Sequence, residues 1–268
     1  MLVAVGVAND LGRFPELSGA VAQGQGNFQS MLQLIREGDL ADDPLFLGAQ
    51  GQPLLDTDNV VYWGVSMGGI LGGVAAAQES SDFNAAVLHV GGSAWSSLLE
   101  RSAAWTLFEG MVQNAVLAPH HRQTLYAASQ MFWDPVDPAS YADDLKDKTI
   151  LLQESVGDDT VPNMTTRLLA RSIDLPVLLP DADGPWGLTG VQADLPVGSR
   201  AMVQFDPETA TPPNENRPPP STGSHGIPLG WWEARYQAVD FLTIGSEGQV
   251  NHYCGADVCS SSNRGVQP

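Results

Sequence analysis

Lysine is almost missing from this chain. Lys146 and Lys148 are the only two, and Lys plus Arg number 12 against 31 Asp plus Glu, for a formal net charge of −19. A surface of that sign repels polyanions, which argues against a nucleic-acid partner. Charged residues of both signs reach only 16%, below the quarter usual in globular proteins. Small, polar and proline-rich surface fills the gap, a balance more typical of secreted than of cytosolic proteins. No run of about 18 apolar residues occurs, which excludes a helical membrane span. The opening "MLVAVGVAND" has no basic region before it and no small-residue cleavage site after it. It reads as a buried strand rather than a signal peptide, so either the protein stays inside the cell or a leader lies outside this chain. Cysteine is scarce too. Cys254 and Cys259 stand alone in "HYCGADVCSSSN", and a single C-x4-C pair is a poor zinc signature. A small-loop disulfide pinning the tail, or two free thiols, are the readings; the first points to an oxidising compartment. No His-Glu-x-x-His, phosphate loop or dinucleotide motif is present, and the acidic "DPVDP" and "DADG" lack calcium-loop spacing. The expectation is no cofactor and no metal.

What is present is apolar patterning. The 268 residues are 43% hydrophobic, enough for one large domain or two small ones. "NVVYWGV", "NAAVLHVGG", "KTILLQESVGDD" and "SRAMVQFDP" read as buried strands. Helical stretches lie between and after them: "NFQSMLQLIREG", "MGGILGGVAAAQES", "NMTTRLLARSI" and "GWWEARYQAVDFLTIG", the last expected to bury Trp232, Tyr236, Val239 and Leu242 on one face. Alternation of this kind predicts an α/β fold with a mainly parallel sheet flanked by helices. Two segments interrupt it. From Ser96 to Tyr141 the pattern is helical without a strand, which predicts a core of 1–95 and 142–268 with an inserted helical unit, 96–141. From Asp206 to Ser224, "DPETATPPNENRPPPSTGS" is a long proline-rich loop, and such loops are functional or disordered.

One stretch carries chemistry. "VYWGVSMGGILGG" leads from a strand through Gly-x-Ser-x-Gly into a small-residue helix. A nucleophilic serine needs an exposed hydroxyl, a base and donors for an oxyanion. A sharp strand-to-helix turn supplies the exposure, provided that Gly64 and Gly68 on either side of Ser66 are small. The following helix aims its N-terminal amides at the reacting oxygen, that of Met67 first. Gly69, Gly72 and Gly73 continue a small face for close helix–sheet packing. The plain alternative is a glycine-rich helix start with Ser66 as its cap. The remaining partners occur in the order Ser, acid, His. Asp158 and Asp159 follow a strand in "GDDTVP", and His225 sits in the glycine-flanked "GSHGIP" before the last helix. His89 lies within a strand and reads as packed, His120 and His121 belong to the helical insertion, and His252 belongs to the tail.

These residues resemble the α/β-hydrolase-fold serine esterases and lipases. "GVSMGG" is similar to their nucleophile elbow, "GDDTVP" to the acid loop and "SHGIP" to the histidine loop. The resemblance spans roughly residues 54 to 245. Family acid loops of the form Asp-x-x-Val-Pro place the acid at Asp158 rather than Asp159. "NDLGRFPEL", "GGILGG" and "CGADVC" further resemble a group of large secreted bacterial hydrolases of this fold. The resemblance implies a carboxylesterase (EC 3.1.1 class) acting on a small-molecule ester of short to medium acyl chain. Ser66 would be the nucleophile, His225 the base, Asp158 its orienting acid and the Met67 amide an oxyanion donor. It also implies that 96–141 is a cap over the site, its apolar residues Trp95, Trp105, Leu107, Phe108, Met111, Phe132 and Trp133 divided between an acyl pocket and plain helix core. Related peptidase, thioesterase and acyltransferase chemistries use the same triad. The location expected is extracellular or periplasmic, with a cytoplasmic one as the alternative.

The chain departs from the family in one respect. Only about sixty residues precede Ser66, so the sheet is short on its N-terminal side and the second oxyanion amide has no recognisable source beyond loops at Gly12, Gly24 or Gly26. Completion of the sheet by another copy of the chain, or a catalytically impaired binding or assembly domain, are the readings that this shortness opens.

Overall fold

A computed structural model describes residues 6–7, 10–78, 83–243 and 248–267. The strand expected at the start lies outside the described residues except for Gly6 and Val7, which are helical. The first long element is helix α1, Phe14–Arg36. It begins thirteen residues before the helix expected there, which starts at Asn27. Pro15 at its first turn fits a helix start, where the missing amide costs nothing.

Strand β1 (Tyr62–Val65) enters helix α2 (Met67–Ala77), and β2 (Ala86–His89) follows. Helices α3 (Trp95–Glu100), α4 (Thr106–Ala115) and α5 (Pro119–Trp133) make up most of the inserted segment, in which no strand occurs among the described residues. Then come β3 (Ile150–Ser155), α6 (Asn163–Ser172), β4 (Val177–Leu179), β5 (Gly190–Gln192), β6 (Ala201–Asp206), α7 (Trp232–Leu242) and β7 (Cys259–Ser260). The strands form one sheet in the order β1-β2-β3-β6-β4-β5, with β7 paired to the end of β6, and every pairing is parallel. Among the described residues nothing pairs with the outer side of β1. The short strands β4, β5 and β7 are not legible in the sequence, since two or three residues between prolines and glycines give no periodicity to read.

The central strands are buried on both faces, as their continuous apolar runs require. Alternate residues point to opposite layers. Val87, Leu151, Val203 and Phe205 meet Ala234, Ala238 and Phe241 of α7. Leu88, Leu152 and Met202 meet Ala76 of α2, Leu169 of α6 and Ile173 just after it. The buried face of α7 is therefore not the one expected. Tyr236 and Val239 are 40% and 52% exposed, because the alanines let the helix approach the sheet closely. Trp232 and Tyr236 instead pack edge-on against each other and Tyr253. A third apolar cluster joins α3, α4 and α5 to Phe14 and Leu17 of α1 and to Ile70 of α2. In it Trp95 and Trp133 stack as buried core, while Trp105, Phe108 and Phe132 line a cavity of about 120 Å³. Leu107, expected in that wall, is 70% exposed. Among the described residues no helix is long and apolar enough to cross a membrane.

Cys254 and Cys259 are joined as a disulfide. The closed loop seats β7 against Phe205 and Asp206 at the end of β6.

Candidate active site

Ser66 occupies the single residue between β1 and α2, at φ 58° and ψ −121°. A side chain at positive φ is strained, and such strain persists only where the surroundings enforce it. Here they do so from both sides. The Ser66 amide donates to the His89 carbonyl at 2.9 Å, and its carbonyl accepts from Ile70 at 3.0 Å. A Cβ placed on Gly64 would stand 2.2 Å from the Gly68 carbonyl oxygen, and one on Gly72 2.2 Å from the Tyr62 ring. A Cβ on Gly69 would stand 2.8 Å from the His89 carbonyl oxygen and 3.0 Å from the Cα of Gly91. Gly68 is different: a Cβ there meets only the Tyr62 hydroxyl, at 3.7 Å. Of the pentad's two glycines, the first is required by sterics; the second contributes its backbone, which fills the space that a side chain at 64 would need. Gly64→Ala is accordingly expected to destabilise the fold by about 3 kcal/mol or more, because backbone atoms cannot move aside as a side chain can. Gly68→Ala should leave thermal unfolding near the wild type, and paired melting curves check both.

Asp158 follows the C-terminal end of β3, and His225 ends the proline-rich loop ahead of α7. The structure brings them to Ser66. His225 Nε2 lies 2.8 Å from Ser66 Oγ. His225 Nδ1 lies 2.8 and 3.0 Å from the two carboxylate oxygens of Asp158. A carboxylate only accepts, so Nδ1 carries the proton and Nε2 presents a lone pair to the hydroxyl. Asp158 is 3% exposed, and its Oδ1 also accepts the amides of Thr160 and Val161, both at 2.8 Å. Two backbone donors thus fix the carboxylate that fixes the imidazole.

Asp159 points elsewhere. Its Oδ2 accepts from the amides of Thr222 (2.5 Å) and Gly223 (2.9 Å) and from Ser221 Oγ (3.0 Å), while Oδ1 accepts from Thr160 Oγ1 (2.9 Å). Burial by itself raises this carboxyl, but the amides of Thr222 and Gly223 and the hydroxyls of Thr160 and Ser221 outweigh it and hold it below the usual range. The preference for Asp158 in the sequence therefore agrees with the geometry at His225. The stitching of the two loops, however, was not foreseen. Ser155 Oγ donates to the Ser224 carbonyl at 2.6 Å, Ser224 Oγ donates to the Gly157 carbonyl at 2.8 Å, and Asn163 accepts from the Gly157 amide at 2.7 Å. The Ser/Thr cluster "STGS" just before His225 was the signal for it, since such side chains favour local bonds to backbone.

Met67 is the first residue of α2 and is 56% exposed. Amides of a helix's first turn have no acceptor within the helix, so that of Met67 is available beside Ser66. Gly24 and Gly26 lie inside α1, where their amides serve the helix, and this removes them as oxyanion donors. Gly12 sits in a short 3-10 turn, Leu11–Arg13. A cleft of about 340 Å³ opens beside Met67 and Gly68, lined by Val21, Phe28, Tyr62 and Leu71, with Gln25 its one polar side chain apart from the Tyr62 hydroxyl.

His89 is 1% exposed at the end of β2. Its Nδ1 lies 2.8 Å from Gln153 Oε1, and Gln153 Nε2 donates to the Ala234 carbonyl at 2.9 Å. That second bond fixes the amide, so His89 carries its proton on Nδ1. Burial lowers its pKa to about 4, with Gln153 opposing and His225 adding to the effect. His120 and His121 lie on α5 and His252 in the tail, away from these contacts.

Residues 45–174 match the family model of Peptidase_S9, the prolyl oligopeptidase family. The matched stretch is a little under half of the chain; it contains Ser66 and Asp158 and stops short of His225. No curated protein and no solved structure gives a match. The matched family, the parallel sheet between helical layers and the strand–serine–helix turn agree on an α/β-hydrolase fold, and over the matched stretch the chain is similar to serine hydrolases of that fold.

Proposed function

We propose that the protein hydrolyses carboxylic esters of short to medium acyl chain through an acyl-enzyme. The observation that carries this reading is the line of contacts from Asp158 through His225 to Ser66, held at 2.8 to 3.0 Å with the serine on a strained turn. Ser66 Oγ attacks the ester carbonyl as His225 Nε2 takes its proton. The imidazolium so formed is stabilised and oriented by Asp158. The developing oxyanion accepts from the Met67 amide, aided by the positive end of α2. His225 then returns the proton to the leaving alcohol, and a water, deprotonated by the same imidazole, releases the acid. The mainly apolar lining of the cleft at Met67 supports an uncharged acyl or alkyl group as occupant.

A second reading is favoured by one observation, the match of residues 45–174 to the prolyl oligopeptidase family. The same residues would then attack a peptide carbonyl. A substrate panel separates the two: p-nitrophenyl acetate and butyrate are expected to be turned over well, and peptidyl p-nitroanilides at least about a hundredfold less efficiently. The reverse ranking would replace the esterase reading with a peptidase. A fluorophosphonate probe addresses the remaining reading, that of an inert hydrolase-like binding domain. Labelling at Ser66, located by peptide mass spectrometry, is the expected result; an unlabelled protein would favour the inert scaffold.

A further inference from the structure

The base of this site stands at the end of a long irregular segment. Residues 207–223 contain neither strand nor helix, yet His225 must stay within a few tenths of an ångström of one position. The side-chain bonds to Ser66 and Asp158 orient the ring but do not hold the main chain. Two other sets of contacts do. Asn214 and Asn216 reach Arg101 and Gln123 on the cap side, all through exposed bonds. The inner contacts are the buried bonds of Ser224 with Ser155 and Gly157 and a part-buried group that converges on the Asp159 carboxylate.

The geometry points to Asp159 as a positioning residue for the reaction: its carboxylate is the anchor that holds the Ser221–Ser224 turn, and through it His225, against the acid loop and the cap. The deduction rests on the hydrolase reading above for its catalytic consequence. Asp159 is 1% exposed, and its Oδ2 sits in the concavity made by two successive amides and a hydroxyl, an arrangement that suits an anion. Gly223 takes φ 78° to present its amide, a conformation open to glycine and strained for other residues. The main chain of Asp159 completes the tie. Its amide donates to Ser224 Oγ at 3.0 Å, and its carbonyl accepts from Ala103, next to α3, at 2.7 Å. One residue thus grips the histidine loop by its side chain and the helical insertion by its backbone. The lowered carboxyl follows from the same donors, after burial has opposed them. The sign of this linkage is definite: the anchor contributes above the unfolded carboxyl range and is lost as pH falls through the lower folded value.

Asp159 makes no hydrogen bond to His225, and this separates the two aspartates by experiment. In the full chain, Asp159→Asn is expected to lower kcat for p-nitrophenyl butyrate on the order of 10- to 100-fold, with KM changed by less than about twofold, because displacement of a catalytic group by about an ångström costs that much. The midpoint of the pH profile of kcat/KM should stay in place, since the Asp158–His225 pair is intact. Amide hydrogen exchange at Thr222–Ser224 should accelerate. Gly223→Ala, which leaves both aspartates untouched, should give the same pattern more weakly, and the double variant should lose less than the product of the single losses. Unchanged exchange in both variants would overturn the anchor. Faster exchange with kcat at the wild-type level would overturn its part in the reaction, and a displaced pH midpoint would make Asp159 an electrostatic partner of His225 instead. If wild-type protein neither turns over esters nor takes the fluorophosphonate, the hydrolase reading fails, while the exchange measurements still decide the anchor.

Discussion

Ser66→Ala is expected to reduce kcat for p-nitrophenyl butyrate by about five orders of magnitude or more, to the level that binding and the oxyanion donor sustain without a nucleophile. The variant keeps the elbow. Alanine retains the Cβ that already stands at φ 58°, and the amide and carbonyl bonds to His89 and Ile70 involve only backbone. What disappears is one hydroxyl and its 2.8 Å contact with His225. The melting temperature should stay within about 3 °C of wild type, since a partly solvated hydrogen bond contributes roughly 1 kcal/mol. Steady-state kinetics beside a melting curve make the check, and substantial turnover in a well-folded variant would remove Ser66 from the mechanism.

Asp158→Asn carries the second largest effect, a fall in kcat of about four orders of magnitude. The reason is a tautomer. Asp158 Oδ1 accepts from Thr160 and Val161 as well as facing His225. An asparagine oxygen can keep those two amides, which turns its NH2 group toward His225 Nδ1. That nitrogen must then accept, the proton moves to Nε2, and the imidazole can no longer take a proton from Ser66. Fluorophosphonate labelling should slow in parallel, and the pH midpoint of kcat/KM should move, in contrast to Asp159→Asn. Kinetics of the two asparagine variants across pH 5 to 9 test the pair together, and a fall in Asp158→Asn no deeper than that in Asp159→Asn would reverse their assignment.

The sequence made the sheet's centre readable because those strands are buried on both faces and so carry unbroken apolar runs, as in "KTILLQES". The edges were harder. Val177–Leu179 and Gly190–Gln192 are three residues long, too short for any period, and Cys259–Ser260 is a two-residue strand at the end of a disulfide-closed loop. On α7 the aromatic residues suggested the wrong face, since small residues rather than large ones mark a close helix–sheet contact. At the site, chain order and loop chemistry singled out Ser66, Asp158 and His225, which the structure brings into contact at 2.8 to 3.0 Å. The steric difference between Gly64 and Gly68, and the hold of Asp159 on Thr222 and Gly223, depend on distances between segments that no local pattern encodes.

The burial of His89 has a bearing on proton traffic. Two imidazoles lie near the C-terminal ends of this sheet, that of His225 against Ser66 and that of His89 against Gln153. With the His89 pKa lowered to about 4, that ring stays uncharged wherever an ester would be turned over. Its burial thus keeps a second positive charge away from the ring that faces Ser66.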